Sequence, residues 1–103
     1  MASRVTYHFD WDPAKARANA TKHGVTFRAA TSIFRDPLAL TVYDNEHSEA
    51  EERWVTLGQA ENGQYLVVIH TWRQLRLIEI AVRLISARKA TKEEIQNYQE
   101  RSH

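Results

Sequence analysis

The sequence predicts an α+β domain: a small antiparallel β-sheet with two N-terminal helices and a short C-terminal helix. Three observations carry that prediction. Helix-start and helix-stop signals crowd residues 12–36, and from Leu38 the apolar spacing changes to a period of two. Thr91-Lys92-Glu93-Glu94 is then a capping box that opens one more helix. Strands gathered between helices and joined by hairpin-length connections indicate α+β rather than a doubly wound parallel sheet.

Tyr7-His8-Phe9-Asp10-Trp11 alternates large apolar with polar residues, as a short first strand does. Asp12 is an N-cap, Pro13 suits the first helical position, and Gly24 supplies the left-handed stop after Lys22 and His23. Thr26 caps a second helix with Ala30, Ile33 and Phe34 at i, i+3 and i+4. Asp36-Pro37 closes it, because a residue before proline avoids the α region. Leu38, Leu40 and Val42 then alternate as a strand, and Trp54 to Leu57 form another that ends at Gly58. Glu61-Asn62-Gly63-Gln64 is a hairpin turn of the Asn-Gly kind. Tyr65 to Trp72 is apolar on both faces, as a central strand is. Arg73-Gln74-Leu75-Arg76 contains no turn residue. Leu77 to Ile85 has helical spacing at Leu77, Ile80, Ala81 and Leu84, but its β-branched content favours a strand. In the closing helix Ile95 and Tyr98 point inward.

At 103 residues the chain fits one domain, residues 1–103. It contains no cysteine, which excludes disulfides, thiolate metal sites and a Cys nucleophile. No apolar run approaches the ~20 residues that cross a bilayer, and MASRVTYHFDWD has no signal-peptide core, so a cytoplasmic protein without membrane contact is expected. The net charge of +1 conceals an uneven distribution. Residues 1–43 and 53–103 each carry +3, while DNEHSEAEE, residues 44–52, carries −5. That pattern permits anion binding on one face.

No Gly-rich phosphate loop, GxSxG or HExxH is present. Asp44, Glu46, His47 and Glu49 match neither an EF-hand nor a zinc spacing, and no metal or other cofactor is expected. Strand parity places Leu66, Val68, His70 and Trp72 on one face. In the last strand it places Leu84, Ser86 and Arg88 opposite Arg83, Ile85 and Ala87. Each charged position also has a plain structural role. A histidine in an apolar strand is more often half-buried and hydrogen-bonded than catalytic. Arg88 and Lys89 can solvate a strand end facing Glu93 or Glu94, Arg53 can pair with Glu51 or Glu52, and Lys22-His23 sits where the helix dipole favours cations.

In their order, FDWDPAKARANATKHGVTF, IFRDPLALTVYDNEHSEAEERWVTLG, VVIHTWR and RLISARKATKEEIQNYQE resemble the BrnT family of bacterial type II toxins, from about Phe9 to Tyr98. One departure is WRQLRLIEIAVRL, long and apolar where the family has a short polar turn. The resemblance implies a RelE-like fold and a ribonuclease that inhibits translation and arrests growth. It also implies neutralisation by a BrnA-like antitoxin, through which alone the complex would bind promoter DNA, and it leaves room for a toxin–toxin dimer within that complex. Metal-free RNA cleavage uses the substrate's own 2′-OH and needs alignment, a proton carrier and charge stabilisation, for which histidine and arginine are suited. Arg53, Arg73, Arg83 and Arg88 are therefore expected to form the positive pocket. Catalysis is expected from His70, Arg53, Arg73 and Arg88, and RNA binding from Lys22, His23, Arg83 and Lys89, with His23 the reserve proton carrier. The alternative is a catalytically inactive antitoxin-binding module acting as a transcriptional co-repressor. A stand-alone DNA binder fits less well, because no helix-turn-helix emerges.

Overall fold

The computed structural model describes residues 5–46 and 48–101. His47, one of the acidic-loop residues weighed as a metal ligand, and the first four residues of the opening stretch lie outside that range. The order is β1 (Thr6–Asp10), α1 (Pro13–His23), α2 (Phe27–Ala30), a 3-10 turn (Thr31–Arg35), β2 (Leu40–Tyr43), β3 (Trp54–Gln59), β4 (Tyr65–His70), β5 (Arg73–Arg76), β6 (Glu79–Lys89) and α3 (Lys92–Arg101). The strands form one six-stranded sheet, β1-β6-β4-β3-β2, with β5 also paired to β6. The α+β class is as expected. The sheet is mixed, however, because β1 lies parallel to β6 while every other pairing is antiparallel.

Local signals account for the helix boundaries. Asp12 accepts the Ala14 N–H at 2.8 Å, and the Gly24 N–H closes α1 on the Ala20 carbonyl with φ at +67°. Thr26 caps α2 through the Ala29 N–H. The second helix makes only one α-turn before tightening into the 3-10 turn, where the Thr31 and Ser32 hydroxyls bond back to the carbonyls of Arg28 and Ala29. The strand expected from Leu38 begins at Leu40. Asp36 accepts the Leu38 N–H and its carbonyl takes the Ala39 N–H, which makes residues 36–39 a turn.

Helices α1 and α2 and the 3-10 turn pack on one face of the sheet. Phe27, Ile33, Leu66, Val68, Val82 and Leu84 are fully or nearly fully buried there. Each such side chain contributes about 1.5–3 kcal/mol of transfer free energy. Gly58 of β3 lies so close to the 3-10 turn that a Cβ would stand 3.0 Å from the Ile33 Cβ. Tyr7, Phe9 and Phe34 extend this layer, with ring centroids 5.3–5.8 Å apart. α3 covers the Tyr65 end of the opposite face. Its Tyr98 ring meets Tyr65 at 5.2 Å, and its hydroxyl donates to Asp36 Oδ2 at 2.6 Å. Burial pushes the Asp36 carboxyl up, but bonds from the Gln59 N–H, the Tyr98 hydroxyl and the Leu38 N–H outweigh it and hold the pKa below normal.

The segment without turn residues, 73–83, is a tight hairpin. β5 turns at Leu77-Ile78 into β6, whose first five residues pair with β1, and residues 79–81 also with β5, before the rest pair with β4.

Candidate active site

Tyr7 and Phe9 face the helices, so alternation along β1 turns His8 and Asp10 to the other face. In the parallel register His8 lies beside Ala81 and Asp10 beside Arg83. In the antiparallel register Arg73 lies beside Ala81. Neighbours in register share a face, so three strands bring His8, Asp10, Arg83 and Arg73 together on the side away from the helices. With Thr71 and Glu51 they line a concavity of 520 Å³. Thr71 fixes the backbone beneath it: its N–H donates to the Arg83 carbonyl at 3.0 Å and its hydroxyl accepts the Arg83 N–H at 3.1 Å. Among the described residues, neither the Arg73 nor the Arg83 guanidinium has a hydrogen-bonded or ion-paired partner. Two unpaired guanidinium groups over one hollow are suited to a phosphate, which takes paired N–H donors from each.

Arg53 stands at the rim, in an adjoining hollow of 360 Å³ formed by the acidic loop at Glu46, Glu49, Ala50 and Glu51. Glu51 lines both hollows. The backbone of Arg53 is fixed by Ser48, whose hydroxyl accepts its N–H at 3.0 Å, and by the Asp44 N–H, which donates to its carbonyl at 2.9 Å. Its Nε is buried without a partner, and its NH2 is 3.7 Å from Glu51.

The structure separates His70 and Arg88 from this place. His70 is fully buried on the helix side, edge-on to Phe34 at 4.9 Å. Its Nδ1 faces the Thr71 carbonyl at 2.8 Å, an acceptor only, so Nδ1 carries the proton and Nε2 accepts from the Thr56 hydroxyl at 2.7 Å. Desolvation depresses its pKa to about 4, against a smaller opposing effect of the Thr71 bond. A neutral ring with both nitrogens engaged and no exposed surface cannot meet RNA. That corrects the catalytic role expected of it. Arg88 grips Glu94 through two hydrogen bonds, 2.8 and 2.9 Å long, and lies five residues from Arg83, about 16 Å at strand rise. Its charge is already matched, and the concavity holding Arg83 does not include it.

Strand parity misplaced part of β6. Ile69 pairs with Ser86, but His70 pairs with Leu84, so Ile85 is a bulge. Beyond the bulge the alternation inverts. Arg83, Ser86 and Arg88 share the face away from the helices, whereas Leu84 and Ala87 both face the core. Lys22 and His23 end α1 in the helix layer, and Lys89 ends β6; none of the three lines the concavity. Of the expected site residues, Arg73 and Arg83 come together and Arg53 adjoins them. His8, Asp10, Glu51 and Thr71 were not anticipated. The alternation Tyr7-His8-Phe9-Asp10 already marked two of them as facing away from the core, but only the pairing of β1 with β6 shows what they face.

The profile of the family described as "Ribonuclease toxin, BrnT, of type II toxin-antitoxin system" matches residues 11–94. Among solved structures, the chain is similar to the 1.1 Å crystal structure of the Brucella abortus ribonuclease toxin BrnT. The two are 24% identical with a TM-score of 0.58, over 84% of this chain and 100% of that one. That likeness is one of fold. No curated protein matches the chain. Among the described residues, no helix is long and apolar enough to cross a membrane.

Proposed function

Because the chain belongs to the BrnT family of ribonuclease toxins of type II toxin–antitoxin systems, we propose that it cuts RNA in the concavity between Arg73 and Arg83, without a metal ion. The observation that carries this reading is the pair of unpartnered guanidinium groups lining one hollow. Cleavage begins with attack of a 2′-oxygen on the adjacent phosphorus. The barrier lies largely in aligning the two and in holding the charge that accumulates on the phosphoryl oxygens. Arg73 and Arg83 would grip those oxygens. Arg53, at the rim, would follow the RNA backbone beside them. The outcome in the cell would be inhibited translation and arrested growth.

A type II toxin is held in check by a protein antitoxin. We assign that role to a BrnA-like partner that covers the concavity and carries the complex to its promoter DNA. Trp72, Leu75, Leu77 and Ile78, exposed on and beside the β5–β6 hairpin, would extend that contact or join two toxins within the complex.

The test is cleavage of a defined transcript by the free protein, with and without EDTA, mapped at nucleotide resolution. Cutting in EDTA that leaves 2′,3′-cyclic phosphate ends is expected. Cutting abolished by EDTA would end the metal-free mechanism. A folded protein that cuts no RNA yet binds its antitoxin and strengthens promoter binding would instead establish the co-repressor reading.

A further inference from the structure

We propose that His8 is the general base of this site and that Glu79 positions it, an inference that rests on the ribonuclease reading above. His8 stands on β1 and Glu79 opens β6; their side chains meet at 2.9 Å between Nε2 and Oε1. An ionised carboxylate only accepts, so Nε2 carries the ring proton. The Nδ1 lone pair is then free, and among the described residues it has no partner. The other Glu79 oxygen is 3.5 Å from Arg76 Nε, which steadies the carboxylate from β5.

His8 lines the same concavity as Arg73 and Arg83. Of the described histidines, His70 is buried with both nitrogens engaged, and His23 ends α1 in the helix layer. Among the described histidines, His8 alone combines an open nitrogen, a carboxylate behind the ring and a place beside the guanidinium groups. This arrangement, imidazole oriented by carboxylate, is the usual means of fixing a tautomer for proton transfer.

The step balances without a further reagent. The 2′-hydroxyl proton passes to His8 Nδ1, the O2′–P bond forms, and the P–O5′ bond breaks. The leaving 5′-oxygen takes a proton from water, and the imidazolium returns its proton to the hydroxide so formed. Other charges facing His8 are Asp10 on its own strand, Arg73 on β5, Arg83 on β6 and Glu51 on the acidic loop, with Arg76 acting through Glu79.

His8→Gln keeps a donor toward Glu79 but removes the imidazole that accepts the proton. With a transcript that the unaltered protein cuts, this variant should lose about 10²-fold or more in kcat/KM, and the acid limb of its pH–rate profile should flatten. Glu79→Gln should lower kcat roughly ten-fold with KM unchanged, since the neutral amide still orients the ring less firmly. His8→Ala should recover activity when imidazole is added, a response that a purely structural residue does not give. Wild-type rate and profile in His8→Gln would overturn the assignment while leaving the ribonuclease reading intact, as would His8→Ala that imidazole does not rescue. A wild-type protein that cuts no RNA would remove both.

Discussion

Arg88 and Glu94 form a bidentate pair, NH1 to Oε1 at 2.8 Å and NH2 to Oε2 at 2.9 Å, and the same Oε1 accepts the Thr91 N–H at 2.8 Å. The capping box of α3 and the end of β6 are therefore one unit. The pair joins strand to helix, and the charge that ends β6 serves the helix that follows it.

The first prediction concerns this pair. The Arg88 hydrogen bonds, chiefly, hold the Glu94 carboxyl down at about 2 against an ordinary value of 4.5, and Arg88 is correspondingly raised. A depressed carboxyl stabilises the fold above its unfolded value, and that stability is lost as pH falls from about 4.5 toward 2. The shift corresponds to roughly 3 kcal/mol. The Arg88 and Glu94 side chains are 41% and 31% exposed, so solvent screening brings the expected contribution to about 1 kcal/mol. Glu94→Gln should lower the melting temperature by about 4–8 °C at pH 7, and by less at pH 3. Arg88→Gln should cost similar stability yet retain RNA cleavage per folded molecule. A cleavage rate that collapses in folded Arg88→Gln would return Arg88 to the active site.

Arg73 and Arg83 should behave in the opposite way. Their guanidinium groups support nothing else in the described structure, so Arg83→Gln and Arg73→Gln should melt within about 1 °C of the parent, the behaviour of unpaired surface positions. Each should lower RNA cleavage by roughly 10²-fold and shallow the salt dependence of RNA binding, measured by filter retention across a salt series. Unchanged cleavage in both variants would place the reaction elsewhere.

A third prediction follows from His70. Its ring titrates near 4 in the fold and near 6.5 when unfolded, because burial disfavours the imidazolium. The unfolded chain binds the extra proton first, so the contribution is complete above about 6.5 and disappears as pH falls toward 4. The span is about 3 kcal/mol. His70→Leu would orphan the Thr71 carbonyl and lose the Thr56 hydroxyl's acceptor, costing about 1–3 kcal/mol at pH 7.5. Urea unfolding at pH 7.5 and pH 5 should nevertheless show a smaller pH dependence in the variant than in the parent.

These contrasts show which parts of the molecule a linear reading reaches. Asp12-Pro13, Gly24, Asn62-Gly63 and the Thr91–Glu94 box are signals whose partners lie within a few residues, and each is where it was expected. The concavity depends on β1 pairing with a strand some seventy residues later, and nothing local in Tyr7–Asp10 specifies that partner. The Ile85 bulge adds one unpaired residue, which reverses the strict alternation that sets Arg88 opposite Arg83. The Leu77-Ile78 turn carries neither glycine, asparagine nor proline, so its hairpin left no mark in composition.

The last prediction concerns Asn19, which completes β6 where β1 ends. The pairing with β1 stops at Asp10 and Arg83, so beyond that point one edge of β6 has no strand beside it. Asn19 takes the place of a strand at Ala87. Its Oδ1 accepts the Ala87 N–H at 3.0 Å, and its Nδ2 donates to the Ala87 carbonyl at 2.9 Å and the Val25 carbonyl at 3.0 Å. The side chain is buried, so no water replaces these bonds if it is removed. Asn19→Ala would orphan three backbone groups and should cost about 2–3 kcal/mol. Asn19→Asp is the sharper case. It can still accept from Ala87 but turns a carboxylate oxygen toward two carbonyls, so it should be less stable than the alanine variant at pH 7 and recover as the carboxyl is protonated at lower pH. Denaturant midpoints at pH 7 and pH 5 would check this. An aspartate variant as stable as the parent at neutral pH would mean that the amide does not stand in for a strand at all.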